Sequence, residues 1–104
     1  MTRKPTGPRI KNADRPTHAV VSLANDLSEL IDAATPLANR ARGLDLRATA
    51  RQVEKIAVQL DVMRTVLVAE GEPQLDVARA YADVCADRLA VHGGYIGRVA
   101  LARA

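Results

Sequence analysis

Apolar residues recur at helical spacing through most of the chain, and this periodicity constrains the fold more than any other feature. In the first periodic segment they follow the i, i+3, i+4, i+7 spacing of one helix face. These residues are Val20, Leu23, Ala24, Leu27, Leu30, Ile31, Ala34, Ala38 and Ala41. The sequence contains no alternating pattern typical of a half-buried strand. The periodicity therefore predicts an all-α protein.

Glycine residues divide the periodic pattern into three helices. We predict helices over residues 17–42, 45–70 and 73–92. Gly43 and Gly71 are typical terminators of the first two helices, the Gly93–Gly94 pair ends the third, and Asp45 is a typical N-cap for the second. Residues 95–104 then form a short tail, either a fourth helix or a strap across the end. Because short loops favour antiparallel neighbours, we expect an antiparallel bundle of three helices, or four with a helical tail.

Two prolines lie at informative positions. Pro36 falls within the first periodic segment, on the side opposite the apolar stripe. It could kink one helix, or it could begin a new helix with Thr35 as the N-cap. The stripe keeps its phase through Ala38 and Ala41, which favours a single kinked helix. Pro73 is predicted in the first turn of the third helix, where its missing N–H is not needed.

The first sixteen residues, MTRKPTGPRIKNADRP, are predicted to form a flexible basic arm ahead of a helical bundle over residues 17–104. The arm contains three prolines and only one large aliphatic residue, Ile10, so it buries too little apolar surface to offset the entropy of ordering. Its net charge is +4, whereas the rest of the chain has ten basic and eleven acidic residues. The basic residues of the arm are Arg3, Lys4, Arg9, Lys11 and Arg15.

The composition predicts a core of aliphatic and small residues. Hydrophobic residues make up 48% of the chain, yet there is no Phe or Trp and there are only two Tyr. The apolar stripe of the third helix is Leu75, Ala78, Tyr81, Ala82, Cys85 and Leu89. Burial stabilises by roughly 25 cal/mol per Å² of apolar surface, so an Ala-rich core of this size is weak. We therefore expect the chain to gain stability from a homo-oligomer or from a protein partner.

The second predicted helix carries two separate apolar faces. One stripe consists of Val53, Ile56, Ala57, Leu60, Met63 and Leu67. A second stripe, on the far side, consists of Val58, Val62, Val66 and Ala69. Either the first and third helices cover one face each, or one face meets another copy of the protein or a different protein. The weak core favours association, so we predict a protein interface at the second stripe.

Basic residues gather at one end of the predicted bundle. Arg40 and Arg42 end the first helix, and Arg47, Arg51 and Lys55 continue the row of the second stripe. In an up-down-up arrangement this end also receives Arg88, His92, Arg98 and Arg103, whereas the other end gathers Glu70, Glu72 and Asp76. Together with the arm, these five residues of the helices, Arg40, Arg42, Arg47, Arg51 and Lys55, could bind nucleic acid through its phosphates. The alternative is an ordinary solvated helix end, since we expect no aromatic residue among these charges to stack on bases.

The sequence predicts neither catalysis nor a cofactor. Cys85 and His92 lie seven residues apart on one helix face, but two ligands do not make a zinc site, and Cys85 is interpreted as a core residue. No membrane span or small-molecule substrate is predicted. The sequence favours a non-enzymatic, cytoplasmic adaptor protein, with a nucleic-acid-binding accessory protein as the alternative. Twelve of the fifteen basic residues are Arg, which is typical of a GC-rich bacterial or phage genome.

Overall fold

The computed structural model describes residues 17–104, which form three α-helices and one 3₁₀ turn. The helices are α1 (His18–Gly43), α2 (Arg47–Glu70) and α3 (Leu75–Ala102), and the 3₁₀ turn (Glu72–Gln74) precedes α3. These residues contain no strand, so the predicted all-α class is confirmed. The predicted arm, residues 1–16, lies outside the described residues.

Helix α1 begins where the sequence indicates and runs through its proline. The Thr17 hydroxyl accepts a hydrogen bond from the Val20 N–H at 3.3 Å and caps the first turn. The helix continues past Pro36, whose side chain is exposed. One helix rather than two therefore spans this segment, and the alternative of a new helix starting after Thr35 is wrong.

The connection between α1 and α2 differs from the prediction, because Asp45 is not the N-cap of α2. Asp45 adopts the left-handed conformation, with φ 60°, and α2 begins after Leu46 without a side-chain cap. The Leu46 N–H donates to the Ala41 carbonyl at 2.8 Å and closes this turn. Asp is one of the few residues that tolerate the left-handed conformation, and the predicted terminator Gly43 is the last residue of α1.

The connection between α2 and α3 follows its glycine. Gly71 has φ 77°, and its N–H donates to the Leu67 carbonyl at 2.8 Å, so the predicted end of α2 is confirmed. Pro73 lies in the 3₁₀ turn that precedes α3, whereas it was predicted in the first turn of that helix. The Gln74 N–H donates to the Gly71 carbonyl at 2.9 Å, and α3 starts at the next residue.

Helix α3 does not end at Gly93 and Gly94 but continues to Ala102, so the predicted third-helix end and the separate tail over residues 95–104 are wrong. The reason is tertiary packing. Ile96 is fully buried and clusters with Ala41 and Ala50 of the other two helices. Gly93, Gly94 and Gly97 each cost about 1 kcal/mol inside the helix, and full burial of one isoleucine offsets most of this cost, since it contributes about 1.5–3 kcal/mol.

All three helices contribute to one aliphatic core. Its buried residues are Val20, Leu23, Leu27, Ala34, Ala38, Val53, Ile56, Leu60, Leu67, Ala78, Ala82, Cys85 and Leu89. No aromatic residue is among them, in agreement with the composition. Tyr81 and Leu75, which were predicted with this stripe, are only half-buried at its edge. The core thus fills the space between the helices and leaves their outer faces in solvent.

Contacts between the helices give their directions. Arg42 pairs with Glu54, and Arg64 Nη1 donates to the Ser28 hydroxyl at 2.8 Å, so residue numbers rise along α2 as they fall along α1. These two helices are antiparallel. The Arg103 guanidinium donates to the Leu44 carbonyl, which brings the end of α3 to the α1–α2 connection. Helix α3 therefore runs antiparallel to α2 and parallel to α1.

Candidate interaction surface on helices α2 and α3

The two apolar stripes of α2 have opposite environments. Val53, Leu60 and Leu67 of the first stripe are fully buried. In the second stripe Val58 is 63% exposed and Val62 is 57% exposed. Val66 is half-buried and Ala69 is exposed. No described helix covers Val58 or Val62. The alternative in which α1 covers one stripe and α3 covers the other therefore does not hold for these two residues.

The second stripe forms one wall of a groove, and α3 forms the other. Val58, Val62 and Val66 line it from α2, whereas Val77 and Tyr81 line it from α3. The groove has a volume of about 410 Å³. Gln59, Met63 and Gln74 complete its lining. No ionised side chain lines this groove, which is consequently apolar with two amides at its edge.

Sequence reasoning missed the contribution of α3 to this surface. Val77, Val84 and Val91 recur every seven residues, and each is at least half exposed. Tyr81 lies on the same face of the helix. The signal that could have found these residues is their seven-residue spacing, which is typical of a helix that packs lengthwise against another. With α2, these residues extend the apolar surface beyond the groove itself.

Two polar groups at the groove, the Glu70 carboxylate and the Tyr81 hydroxyl, have identifiable neighbours. The Gln74 amide donates to a Glu70 carboxylate oxygen at 2.7 Å, which holds that carboxylate near one end of the groove. Partial burial raises the pKa of the Tyr81 hydroxyl, and the neighbouring Cys85 raises it further, while Arg88 opposes both. Tyr81 therefore offers a neutral phenol to any partner at neutral pH.

The predicted basic residues of the helices are all exposed at one end of the molecule. Arg42 forms an ion pair with Glu54, and Arg47 Nε pairs with Asp45 at 3.1 Å. The other three, which have no ion-pair partner among the described residues, are Arg40, Arg51 and Lys55. The predicted arm residues Arg3, Lys4, Arg9, Lys11 and Arg15 lie outside the described part of the chain.

The extension of α3 changes the composition of this basic end. Tyr95 is 42% exposed and lines a groove of about 490 Å³ with Asp45, Leu46, Arg47 and Thr49, and Asp45 pairs with Arg47 there. The expectation that no aromatic residue lies among these charges is therefore wrong, because the continuous α3 places Tyr95 in the same groove as Arg47. An exposed aromatic ring in a groove that also contains a guanidinium is a surface on which a nucleic-acid base can stack.

Charge is divided unevenly between the basic end and the rest of the described residues. The basic end, defined as residues 40–55 and 95–104, has seven basic and two acidic residues, a net charge of +5. The other described residues, 17–39 and 56–94, have three basic and nine acidic residues, a net charge of −6. An acidic groove of about 430 Å³ between α1 and α3 belongs to this second part and includes Asp26, Glu29 and Asp83.

Other site types find little support among residues 17–104. These residues contain no group of three or more His, Cys, Asp or Glu side chains that could hold a metal ion. Cys85 is buried, as predicted. None of the three described helices combines the length and apolar character needed to cross a membrane. Comparison of the chain with protein-family models, with curated proteins and with solved structures found no match.

Proposed function

We propose that this protein is a non-enzymatic adaptor that docks onto a protein or protein–nucleic-acid assembly through the groove between α2 and α3. The observation that carries the proposal is the exposure of more than half of Val58, Val62 and Val77 along one continuous surface. Contiguous exposed apolar surface marks interaction sites, since its removal from water stabilises a complex. In this proposal residues 17–104 act as one antiparallel bundle in the cytoplasm, and residues 1–16 act as a basic arm.

The shape of the groove favours a helical partner surface. Two antiparallel helices leave a long furrow between them, and an apolar furrow of this kind accepts an amphipathic helix. Gln59 and Gln74 at its margin can bond to polar groups of the partner without the cost of burying a charge. The valines supply the contact area, and the amides restrict its orientation.

A photo-crosslinking amino acid at position 62 tests this proposal. We expect protein adducts from position 62 in cells, because that side chain lies in the groove. Position 68 is the control: Val68 is 55% exposed on the same helix but does not line the groove. Equal adduct yields from the two positions would contradict docking through the groove.

The second candidate function is a nucleic-acid-binding accessory protein, and Tyr95 is the observation that favours it. Tyr95 lines a groove with Arg47, and Arg51, which has no ion-pair partner among residues 17–104, occupies the same end of α2. Single-stranded nucleic acids bind to such combinations of basic side chains and stacking aromatics. The contacts would be to phosphates and base faces, with little sequence preference.

Oligonucleotide binding across a salt series tests the second candidate. We expect affinity for a single strand to fall steeply with salt, because phosphate binding releases counterions. Arg51→Glu and Tyr95→Ala should weaken binding about tenfold or more, and deletion of residues 1–16 should weaken it without unfolding the helices. Arg79→Glu, which changes the same charge outside the basic end, should have a smaller effect. Absence of binding at low salt would exclude this function.

A further inference from the structure

Opposite charges flank the groove at similar distances from its middle. Val62 and Tyr81 line the groove from its two walls and mark this middle. Lys55 and Arg88 each lie seven residues toward the basic end, about 10 Å away at 1.5 Å per residue. Glu70 lies eight residues toward the other end, about 12 Å away, and Glu72 follows in the 3₁₀ turn.

We propose that a second copy of this chain occupies the groove, related to the first by a two-fold axis that crosses the helices near Val62 and Tyr81. The proposal rests on the proposed function of the groove as a docking surface and names its partner. Rotation about this axis sets Lys55 and Arg88 of each copy opposite Glu70 and Glu72 of the other. A two-fold interface repeats each contact, so two sets of opposite charges form.

The charge pattern also disfavours the other simple geometry. An axis parallel to the helices, along the groove, would set Lys55 of one copy opposite Arg88 of the other. Like charges at these positions would repel, since both side chains are exposed on the groove side of their helices. Antiparallel association is the two-fold geometry in which every charged margin of the groove meets its opposite.

The middle of the proposed interface is apolar and is built for helix packing. Val58, Val62, Val77 and Val84 surround the axis, and each is at least half exposed in the single chain. The seven-residue spacing of Val77 and Val84 suits packing of α3 along a helix of the second copy. At the margin, the Gln74 amide holds one oxygen of the Glu70 carboxylate at 2.7 Å, which leaves the other oxygen free to accept from Lys55 of the second copy.

Charge reversal followed by mixing tests this geometry on the full chain. Sedimentation equilibrium at about 50 mM salt, where screening is weak, should show a dimer of the parent protein. Lys55→Glu and Glu70→Lys should each raise the dimer dissociation constant about tenfold or more, because each homodimer then contains two like-charge contacts. An equimolar mixture should form a heterodimer of near-parent affinity, since both contacts regain opposite charges. Arg79→Glu, outside the groove, should leave the dissociation constant unchanged.

The possible outcomes separate the partner from the function. A parent that stays monomeric at about 100 µM overturns the second copy as the partner, while crosslinking from position 62 still tests docking to another protein. A parent dimer whose mixed variants bind no more tightly than each variant alone overturns the two-fold arrangement. A parent dimer that persists in Val58→Asp/Val62→Asp, with both charges at exposed positions, overturns the groove as the interface.

Discussion

The helix face on which an apolar side chain lies, rather than its residue type, decides whether it contributes to the core, as Leu67 and Val68 illustrate. These two apolar residues are adjacent in α2, yet Leu67 is fully buried and Val68 is 55% exposed. The 3.6-residue period separates them by about 100° around the helix. The sequence pattern predicted the burial of Leu67 because its stripe repeats through four turns.

Alanine substitutions at these two positions should differ in their effect on stability. We expect Leu67→Ala to lower the free energy of unfolding by about 2–5 kcal/mol, since it leaves a cavity in the core. Val68→Ala should change it by no more than about 0.5 kcal/mol. Urea denaturation followed by circular dichroism measures both. Similar losses for the two variants would mean that α2 presents a different face to the core.

Cys85 should be chemically inert in the folded protein. It is buried in the core, and burial raises the pKa of its thiol because the thiolate loses hydration, although Arg88 opposes this shift. Alkylation by iodoacetamide at pH 8 should therefore be at least about tenfold slower than in denaturant. Equal rates in native and denatured protein would contradict the burial.

The same thiol adds a pH dependence to stability. Its pKa is higher in the folded chain than in the unfolded chain, so its contribution is complete below the ordinary pKa of 9.0 and is lost as the pH rises through the folded value. The free energy of unfolding should fall above about pH 9, and Cys85→Ala should make that fall shallower. Tyr81 contributes a similar fall at higher pH, because its pKa is also raised. An identical pH profile in Cys85→Ala would show that the thiol makes no such contribution.

At the level of elements, local signals predicted some helix ends and tertiary contacts determined the others. Thr17 and Gly71 act through their own hydroxyl and backbone conformation, so the start of α1 and the end of α2 follow from the sequence. The end of α3 does not, because the burial of Ile96 depends on Ala41 and Ala50 in two other helices. A helix end predicted from Gly93–Gly94 alone cannot take that contact into account.

Glycine-to-alanine substitutions test the continuous α3. Gly94→Ala and Gly97→Ala should each raise the free energy of unfolding by about 0.5–1 kcal/mol, because both residues are helical. A Cβ at Gly94 would meet only the end of the flexible Arg98 side chain, at 3.5 Å, and a Cβ at Gly97 would meet nothing within 4 Å. Gly71→Ala should instead destabilise, since φ 77° disfavours a side chain. Destabilisation by Gly94→Ala would indicate that the helix ends at Gly93–Gly94.

At the scale of the whole molecule, the candidate surface was only half predictable from sequence. The α2 stripe of Val58 and Val62 is recognisable because a second apolar face on one helix needs a partner. The α3 wall has its own signal in the seven-residue spacing of Val77 and Val84, but the placement of that face beside the α2 stripe follows from packing between the helices. For the same reason the position of Tyr95 in one groove with Arg47 could not be predicted. The sequence therefore predicted the α2 wall of the groove, and packing between the helices added the α3 wall.

Coupling of folding to association gives the last prediction, a melting temperature that depends on protein concentration. The core contains four alanines and no aromatic residue among its buried members. We therefore expect the single chain to be weakly stable and the groove valines to add stability on dimerisation. Only the folded chain presents the groove, so association stabilises the folded state by mass action. A tenfold rise in concentration adds about 0.7 kcal/mol per chain to a dimer, which corresponds to about 3–6 °C for a domain of this size. Differential scanning calorimetry of the parent should show this rise, and Val58→Asp/Val62→Asp should melt at a constant, lower temperature. A parent melting temperature that is independent of concentration would mean that folding of this chain does not depend on a second copy.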